Sequence, residues 1–135
     1  MTSTKLILLI IGAILALVAG TYTYRGYRGI SEYDHGRYEA GVLSVKSLQL
    51  KVQMYQLEVG SLPTSLNDLV ERPGGATTWN GPYARADNLT DPFGHPFQFR
   101  MPGEHGEFDI VFLGKDGQAG GSGIDADFGN WQLSK

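Results

Sequence analysis

The feature that most constrains this chain is an uncharged apolar stretch near its start, LILLIIGAILALVAGTYTY, which covers Leu6 to Tyr24. As an α-helix it would span roughly 28 Å at about 1.5 Å per residue, close to the thickness of a bilayer core. Tyr22 and Tyr24 end the stretch, where aromatic residues are enriched at the membrane interface. We therefore predict a single membrane-spanning helix.

A cleaved secretory signal is the alternative interpretation of the same stretch. The charged start at Lys5, the apolar run and the small residues before Thr21 loosely resemble such a signal. The uncharged run continues past that site, which favours an uncleaved anchor. Positive charge does not settle the orientation, because Lys5 precedes the stretch while Arg25 and Arg28 follow it.

A helical period follows the apolar stretch. Apolar residues recur at steps of three and four and form one stripe, which comprises Tyr38, Val42, Val45, Leu48, Val52, Tyr55 and Val59. Gly60 and Pro63 end the pattern, since glycine favours a helix C-terminus and proline cannot continue the helix. We predict one long helix, apolar all round in an anchor at residues 1–29 and amphipathic where it enters a domain at residues 30–135.

Shorter elements are expected in the rest of the domain. Thr64 or Ser65 can cap a short helix over Leu66 to Glu71. Two strand candidates, Phe97–Met101 and Phe108–Leu113, are joined by a Pro- and Gly-containing turn, which predicts an antiparallel hairpin. A last short strand is expected within Phe128 to Leu133.

The C-terminal tract, from Leu113 to Trp131, is nearly half glycine and aspartate. Such a segment cannot fold by burying apolar area, so it is either a mobile surface loop or is held by something other than a core. Its carboxylates are Asp116, Asp125 and Asp127, and Ca²⁺ takes carboxylate and carbonyl oxygens. The spacing does not fit an EF-hand. The apolar run before the tract and Trp131 at its end favour an ordered loop.

Composition and motifs exclude several classes of function. The net charge of −3 argues against a nucleic-acid-binding surface, and the absence of cysteine excludes disulfides and thiolate metal sites. Ser122 lacks the context of a nucleophile elbow. Asp125 and Asp127 could form the acid–base pair of a hydrolase, but without a pocket they are better explained as ion ligands. We do not predict an enzyme, and we interpret the histidines as surface or turn residues: His35, His95 and His105.

Several motifs resemble those of one protein family in the same order. The apolar helix that runs into an amphipathic one is followed by LQLKVQMYQLEVGSLPTSLNDL, GPY, DPFGHPFQFR, PGEHGEFDIVFLGKDG and GGSGIDADFGNW. This arrangement is similar to the major pseudopilins of the bacterial type II secretion system, which are related to type IV pilins. The resemblance covers about Leu48 to Trp131.

The resemblance implies an α+β, type IV pilin-like fold, with a long N-terminal helix packed on a small antiparallel β-sheet. It also implies a Ca²⁺ site in the C-terminal loop that stabilises the subunit. Carried over to this sequence, the carboxylate ligands are Asp116, Asp125 and Asp127, and the backbone carbonyls of Leu113 and Gln118 complete the shell.

The resemblance further implies a structural subunit that polymerises into a homo-oligomeric filament, the pseudopilus, and supports export of folded proteins across the outer membrane. Its expected partners are other pseudopilins and inner-membrane secretion components, with no nucleic acid. The expected location is the inner membrane, with the globular domain in the periplasm.

The N-terminus departs from the family pattern. Prepilins have a leader that ends in glycine before an aromatic residue or methionine, and a glutamate shortly afterwards. Here Lys5 is followed by Leu6, and no acidic residue occurs between Met1 and Gly29. Whether the chain is processed is therefore left open. A membrane-tethered calcium-binding module that does not polymerise is the alternative function.

Overall fold

The computed structural model describes Ser3 to Ser134, so Met1, Thr2 and Lys135 are outside it. The side chains of residues 24–30 and of Ser134 are also outside the description. The interface position predicted for Tyr24 and the side chains of Arg25 and Arg28 therefore lie among the residues that are not described.

A single α-helix, α1, runs from Ser3 to Val59, as the sequence predicts. Its first part, Ser3–Thr23, has a mean hydropathy of 2.4 and is long and apolar enough to cross a membrane. The helix ends at Val59, and the next residue, Gly60, has a φ of 86°, which is in the left-handed region that glycine tolerates. The chain divides into two compact units between His35 and Gly36, and the core described next belongs to the second.

One face of α1 forms half of the hydrophobic core in the second unit. Four residues of the predicted stripe are at most 3% exposed: Val45, Leu48, Val52 and Tyr55. Tyr38 and Val59 pack partly buried against the same core. The opposite half of the core comes from the β-sheet and from the segments that precede it, including Leu66, Leu69, Ala84 and Phe97.

Three short antiparallel strands form the sheet in the order β1-β2-β3. They are β1 (Gln98–Arg100), β2 (Asp109–Phe112) and β3 (Phe128–Gly129). The predicted hairpin is confirmed, since β1 pairs with β2 through Phe99 opposite Ile110. The central strand β2 is buried along its whole length. The long helix α1 and the antiparallel sheet together give the expected α+β architecture.

The last predicted strand is shorter than expected. Only Phe128 and Gly129 pair with β2, and Asn130–Ser134 forms a 3₁₀-helix instead. The side chain of Asn130 replaces a backbone partner for β2: its Oδ1 accepts from the N–H of Ile110 (2.8 Å) and its Nδ2 donates to the carbonyl of Phe108 (3.3 Å). Because these backbone groups of β2 already have hydrogen-bond partners, the chain does not continue as a strand after Gly129.

The short helix after α1 is a 3₁₀-helix, Leu66–Leu69, and ends two residues before the predicted boundary at Glu71. The Asp68 carboxylate accepts hydrogen bonds from the N–H groups of Thr64 (2.7 Å) and Ser65 (3.3 Å), which fixes its start. Two further 3₁₀-helices are Ala86–Leu89 and Gly123–Asp125.

Gly41 lies where α1 contacts the ring of Phe112 on β2. A Cβ at this position would be 2.6 Å from ring carbon Cε1 of Phe112, and Phe112 is only 1% exposed. The absence of a side chain at Gly41 therefore allows the helix to rest directly on the aromatic ring.

We expect Gly41→Ala to lower the Tm of the full chain in detergent, measured by circular dichroism. Helix propensity alone would stabilise it by about 1 kcal/mol, but overlap with Phe112 should cost about 1–3 kcal/mol. The matched control is Gly36→Ala in the same helix, where nothing lies within 4 Å of the added carbon, and it should raise the Tm. A higher Tm for Gly41→Ala would contradict this expectation and would show that the Phe112 ring can move away from the added methyl group at little cost.

The buried carboxylate of Asp109 holds the turn between β1 and β2. It accepts hydrogen bonds from the backbone N–H groups of Glu104 (2.8 Å) and His105 (3.3 Å), and its Oδ2 lies 3.0 Å from Nδ1 of His105. Burial by itself would raise the pKa of Asp109, but the hydrogen bonds, first that from the His105 side chain, outweigh burial and lower the pKa.

This carboxylate should make the fold sensitive to acid. Because the pKa of Asp109 is lower when folded than its unfolded value of about 4, its contribution is complete above that value and is lost as the pH falls through the folded pKa. Asp109→Asn should cost about 1–3 kcal/mol near neutral pH and flatten the acid limb of a plot of Tm against pH. Asp87→Asn, at an exposed carboxylate, is the control. Equal acid limbs in Asp109→Asn and wild type would contradict this role.

Candidate metal centre

The Gly- and Asp-rich loop leaves the sheet at the end of β2 and returns to it at β3, so both of its ends are fixed by strand pairing. Five of its glycines have positive φ, a conformation that other residues rarely adopt; they are Gly114, Gly117, Gly120, Gly121 and Gly123. A Cβ on Gly121 would lie 2.4 Å from the carbonyl oxygen of Asp125. The glycines thus allow the two sides of the loop to approach closely.

Hydrogen bonds within the loop close it on itself. The N–H of Lys115 donates to the carbonyl of Ile124 at 2.8 Å. The N–H of Gly120 donates to Oδ2 of Asp127 at 2.9 Å. Backbone and carboxylate groups, rather than apolar contacts, therefore shape this segment.

Two side chains from outside the loop contact it. The hydroxyl of Tyr38, on α1, donates to the carbonyl of Ala126 at 3.1 Å. Burial, and then the negative charge of Asp127, raise the pKa of Tyr38. On the other side, the ring of His95 lies against Gly117, where a Cβ would be 2.7 Å from ring carbon Cδ2. The loop is thus held between α1 and the segment before β1.

The five predicted ligand residues differ in burial. Asp125 and Asp127 are half-buried, as is Leu113, whereas Asp116 and Gln118 are exposed. Oδ1 of Asp116 accepts from the N–H of Gln118 at 3.1 Å, which forms a local turn. Among the residues that the structure describes, no three His, Asp or Glu side chains form a group that could hold a metal ion, so the three loop aspartates are not gathered into one.

Oδ1 of Asp127 is the atom of the loop that points most directly to a cation. It is buried, and it has no hydrogen-bond partner within the described part of the chain. A buried carboxylate oxygen without a partner is costly. The other oxygen of the same carboxylate is already bonded to Gly120. Ca²⁺ takes carboxylate and backbone carbonyl oxygens as ligands, so it fits the unpartnered oxygen of Asp127 together with backbone carbonyls of the loop.

The sequence does not predict the contacts of Tyr38 and His95 with the loop, because its patterns place Tyr38 in the core stripe and His95 in an ordinary turn. The turn that contains His95 is held by Arg37, whose Nε donates to the carbonyl of Pro92 at 3.0 Å and whose guanidinium lies 4.5 Å from the centre of the Phe93 ring. The motif DPFGHP offered a signal, because its Asp91 side chain accepts from two backbone N–H groups of the turn.

The contacts of two other candidate residues, His105 and Ser122, are explained by the fold. His105 stacks on Trp131 with ring centres 3.7 Å apart and contacts Asp109. Ser122 precedes a three-residue 3₁₀-helix, Gly123–Asp125, and does not lie on a turn from a strand into an α-helix.

Comparison with known proteins agrees with the fold. The sequence profile of the family described as Type II secretion system (T2SS), protein G matches residues 28–131. The chain is 40% identical over 122 residues to the type II secretion system core protein G of Xanthomonas campestris pv. campestris, covering 90% of this chain and 80% of that protein. It is 32% identical over 131 residues to the protein of the same name from Pseudomonas aeruginosa, covering 93% and 87%.

A solved structure is also similar. The crystal structure of the major pseudopilin from the type 2 secretion system of enterohaemorrhagic Escherichia coli matches with a TM-score of 0.60 and 28% identity, covering 77% of this chain and 90% of that chain. The resemblance inferred from the motifs is confirmed. Since the profile match spans most of the chain and two relatives above 30% identity agree with it, this chain belongs to the type II secretion system protein G family, whose members are structural pseudopilins and not enzymes.

Proposed function

We propose that this chain is a pseudopilus subunit whose domain is clamped by Ca²⁺ and which polymerises with copies of itself through its N-terminal helix. The match to the protein G family over residues 28–131 is the observation on which this proposal rests. In this role the subunit supports the export of folded proteins across the outer membrane, together with other pseudopilins and inner-membrane secretion components.

The proposed location is the inner membrane, with the domain in the periplasm. The apolar part of α1, Ser3–Thr23, supports a single-pass anchor. Periplasmic placement also suits an ion that is bound weakly for structural purposes, because Ca²⁺ is more available outside the cytoplasm than inside it.

The proposed calcium ligands are the carboxylates of Asp116, Asp125 and Asp127 and the carbonyls of Leu113 and Gln118. The unpartnered, buried Oδ1 of Asp127 supports a cation at this loop. The ion would satisfy that oxygen and neutralise the charge of the aspartates, and its contribution would be to stability, not to a reaction. Tyr38 and His95 would hold the loop from either side.

Calcium should therefore raise the Tm of the full chain in detergent, and chelator should reverse the effect. At a free Ca²⁺ concentration about 100 times the Kd, binding adds about 2.7 kcal/mol to the free energy of unfolding. Asp127→Asn should abolish this increase, because the amide carries no negative charge and its NH₂ group cannot bind a cation. Asp87→Asn, at an exposed carboxylate paired with Arg85, should keep it.

A calcium-dependent rise in Tm that is as large in Asp127→Asn as in the wild type would contradict the proposed site. No change in the wild type across millimolar Ca²⁺ would contradict calcium binding as such.

Polymerisation should depend on the apolar part of α1. We expect the full chain, reconstituted in lipid, to form filaments visible by electron microscopy. A chain that begins at Gly29 should be a soluble monomer by size-exclusion chromatography with light scattering, and it should keep its calcium response. Filaments of the shortened chain would contradict assembly through the N-terminal helix.

The alternative function is a membrane-tethered calcium-binding module that does not polymerise. The absence of an acidic residue between Met1 and Gly29 favours it. It predicts a full chain that responds to calcium and stays monomeric in lipid.

A further inference from the structure

The peptide bond between Asn80 and Gly81 lies in an open part of the domain. Residues 73–85 form no helix or strand, and within them Asn80 is exposed and Gly81 is half-buried. An Asn–Gly pair is typical of turns, because both residues tolerate backbone conformations that others avoid. Segments of this kind open locally more readily than helices and strands, so the pair is available for chemistry that a regular element would prevent.

The backbone nitrogen of Gly81 is restrained less than its neighbours. Its N–H makes no hydrogen bond to any residue that the structure describes. By contrast, the N–H of Asn80 donates to the hydroxyl of Tyr83 at 3.2 Å, and the N–H of Tyr83 donates to the carbonyl of Leu69 at 2.7 Å. A backbone N–H without a hydrogen bond in the protein can lose its proton to base without a prior opening of the fold.

The ring of Trp79 explains why the residue after Asn80 must be glycine. A Cβ at Gly81 would lie 2.5 Å from Cζ2 of Trp79. The indole is held in place, because its Nε1 donates to the carbonyl of Asp68 at 2.9 Å and its ring meets the Tyr83 ring edge-on at a centre distance of 5.7 Å. The fold therefore keeps position 81 free of a side chain that would shield the nitrogen from the Asn80 carboxamide.

These features suit a known reaction of asparagine, which is one of the thermally labile residues. The nitrogen of Gly81, after losing its proton to hydroxide, attacks Cγ of Asn80 and forms a C–N bond. The bond from Cγ to Nδ2 breaks, and the side-chain amide takes a proton from water and leaves as ammonia. Water then opens the resulting five-membered succinimide at either of its two carbonyls, which yields aspartate or isoaspartate.

The other three asparagines of the chain lack this combination of features. Asn67 lies in a 3₁₀-helix, Oδ1 of Asn88 accepts from the N–H of Arg85 at 3.1 Å, and both side-chain polar atoms of the buried Asn130 are bonded to backbone groups of β2 and the residue before it. Each is followed by a residue with a side chain, namely aspartate, leucine or tryptophan. Only Asn80 is exposed, outside regular structure and followed by glycine.

We propose that Asn80 is a site of spontaneous deamidation in the folded chain, through a succinimide formed with Gly81, and that it reacts before the other asparagines. The proposal is independent of calcium binding and of polymerisation, because it uses only groups of this one turn.

Both products disturb the aromatic cluster beside the turn. The Tyr83 hydroxyl, which accepts from the N–H of Asn80, donates to Oε2 of Glu58 at 2.5 Å. Aspartate at position 80 therefore adds a negative charge near a carboxylate. Isoaspartate adds one methylene to the main chain between two fixed rings, those of Trp79 and Tyr83. The modified chain is consequently less stable than the original one.

Mass spectrometry of proteolytic peptides tests the proposal on the full chain in detergent, incubated at mildly alkaline pH and sampled over time. We expect a gain of about one mass unit at Asn80 at least tenfold faster than at Asn67, Asn88 or Asn130. The rate should rise with pH, since the attacking nitrogen must lose a proton. Transfer of a labelled methyl group by an isoaspartate-specific carboxyl methyltransferase then measures the isoaspartate fraction.

Asn80→Gln is the matched control, because the longer side chain must close a six-membered ring. It should remove the mass gain at position 80 and keep the Tm of the incubated chain constant, while the Tm of the wild type falls as the product accumulates. An equal fall of the Tm in both chains would overturn the claim that the products destabilise the cluster.

Incubation in urea separates the effect of the fold from that of the sequence. If Asn80 reacts in the unfolded chain but stays intact in the folded one, the turn protects it and the proposal is wrong. A reaction at Asn88 or Asn67 as fast as at Asn80 in the folded chain would overturn the selectivity argued from the contacts.

Discussion

The close packing of α1 on the central strand β2 is the contact on which the rest of the domain depends. Gly41 lets the helix approach the Phe112 ring, and three other aromatic rings surround Phe112, with centre distances of 5.3 Å to Tyr38 and 6.3 Å to Phe93 and Phe97. The helix, the strand and the segment before β1 therefore meet at one ring. The ends of the glycine-rich loop lie next to this cluster, because Phe112 pairs with Phe128 across the strands. The core therefore fixes the positions of the two ends of the loop.

Much of the fold could be predicted because its signals are local and long. The helix was predicted from an uncharged run followed by a regular apolar stripe, and the hairpin from two strand-like runs around a short turn. The last strand was predicted too long because its limit is set by a contact distant in sequence. Asn130 bonds to β2 through its side chain, and no periodicity in the sequence reports that choice. The short helix Leu66–Leu69 starts where the sequence predicts, because the contact that fixes its start, between the Asp68 carboxylate and the N–H of Thr64, is local in sequence.

The candidate site was predictable in composition but not in geometry. Three aspartates among glycines indicate oxygen ligands, and the structure adds which oxygen lacks a partner: Oδ1 of Asp127. The contribution of Tyr38 and His95 could not be inferred, because both approach the loop from elements far away in the sequence. The Tyr38 hydroxyl on the helix donates to the loop carbonyl of Ala126. Burial and then the negative charge of Asp127 raise the pKa of Tyr38. Order in the loop and order in the helix–sheet contact are therefore physically connected, although their residues share no motif.

The buried face of α1, formed by Val45, Leu48, Val52 and Tyr55, also limits how this protein can change in length. An inserted or deleted residue within residues 38–59 would rotate every later residue by about 100°, which would turn part of this face away from the core. Changes in multiples of about seven residues keep the face in phase. Gaps between homologous chains are consequently expected in segments such as Pro73–Asn80, where no helix or strand must keep a phase. The length of this helix segment is therefore expected to be the same in homologous chains, which differ there by substitutions only.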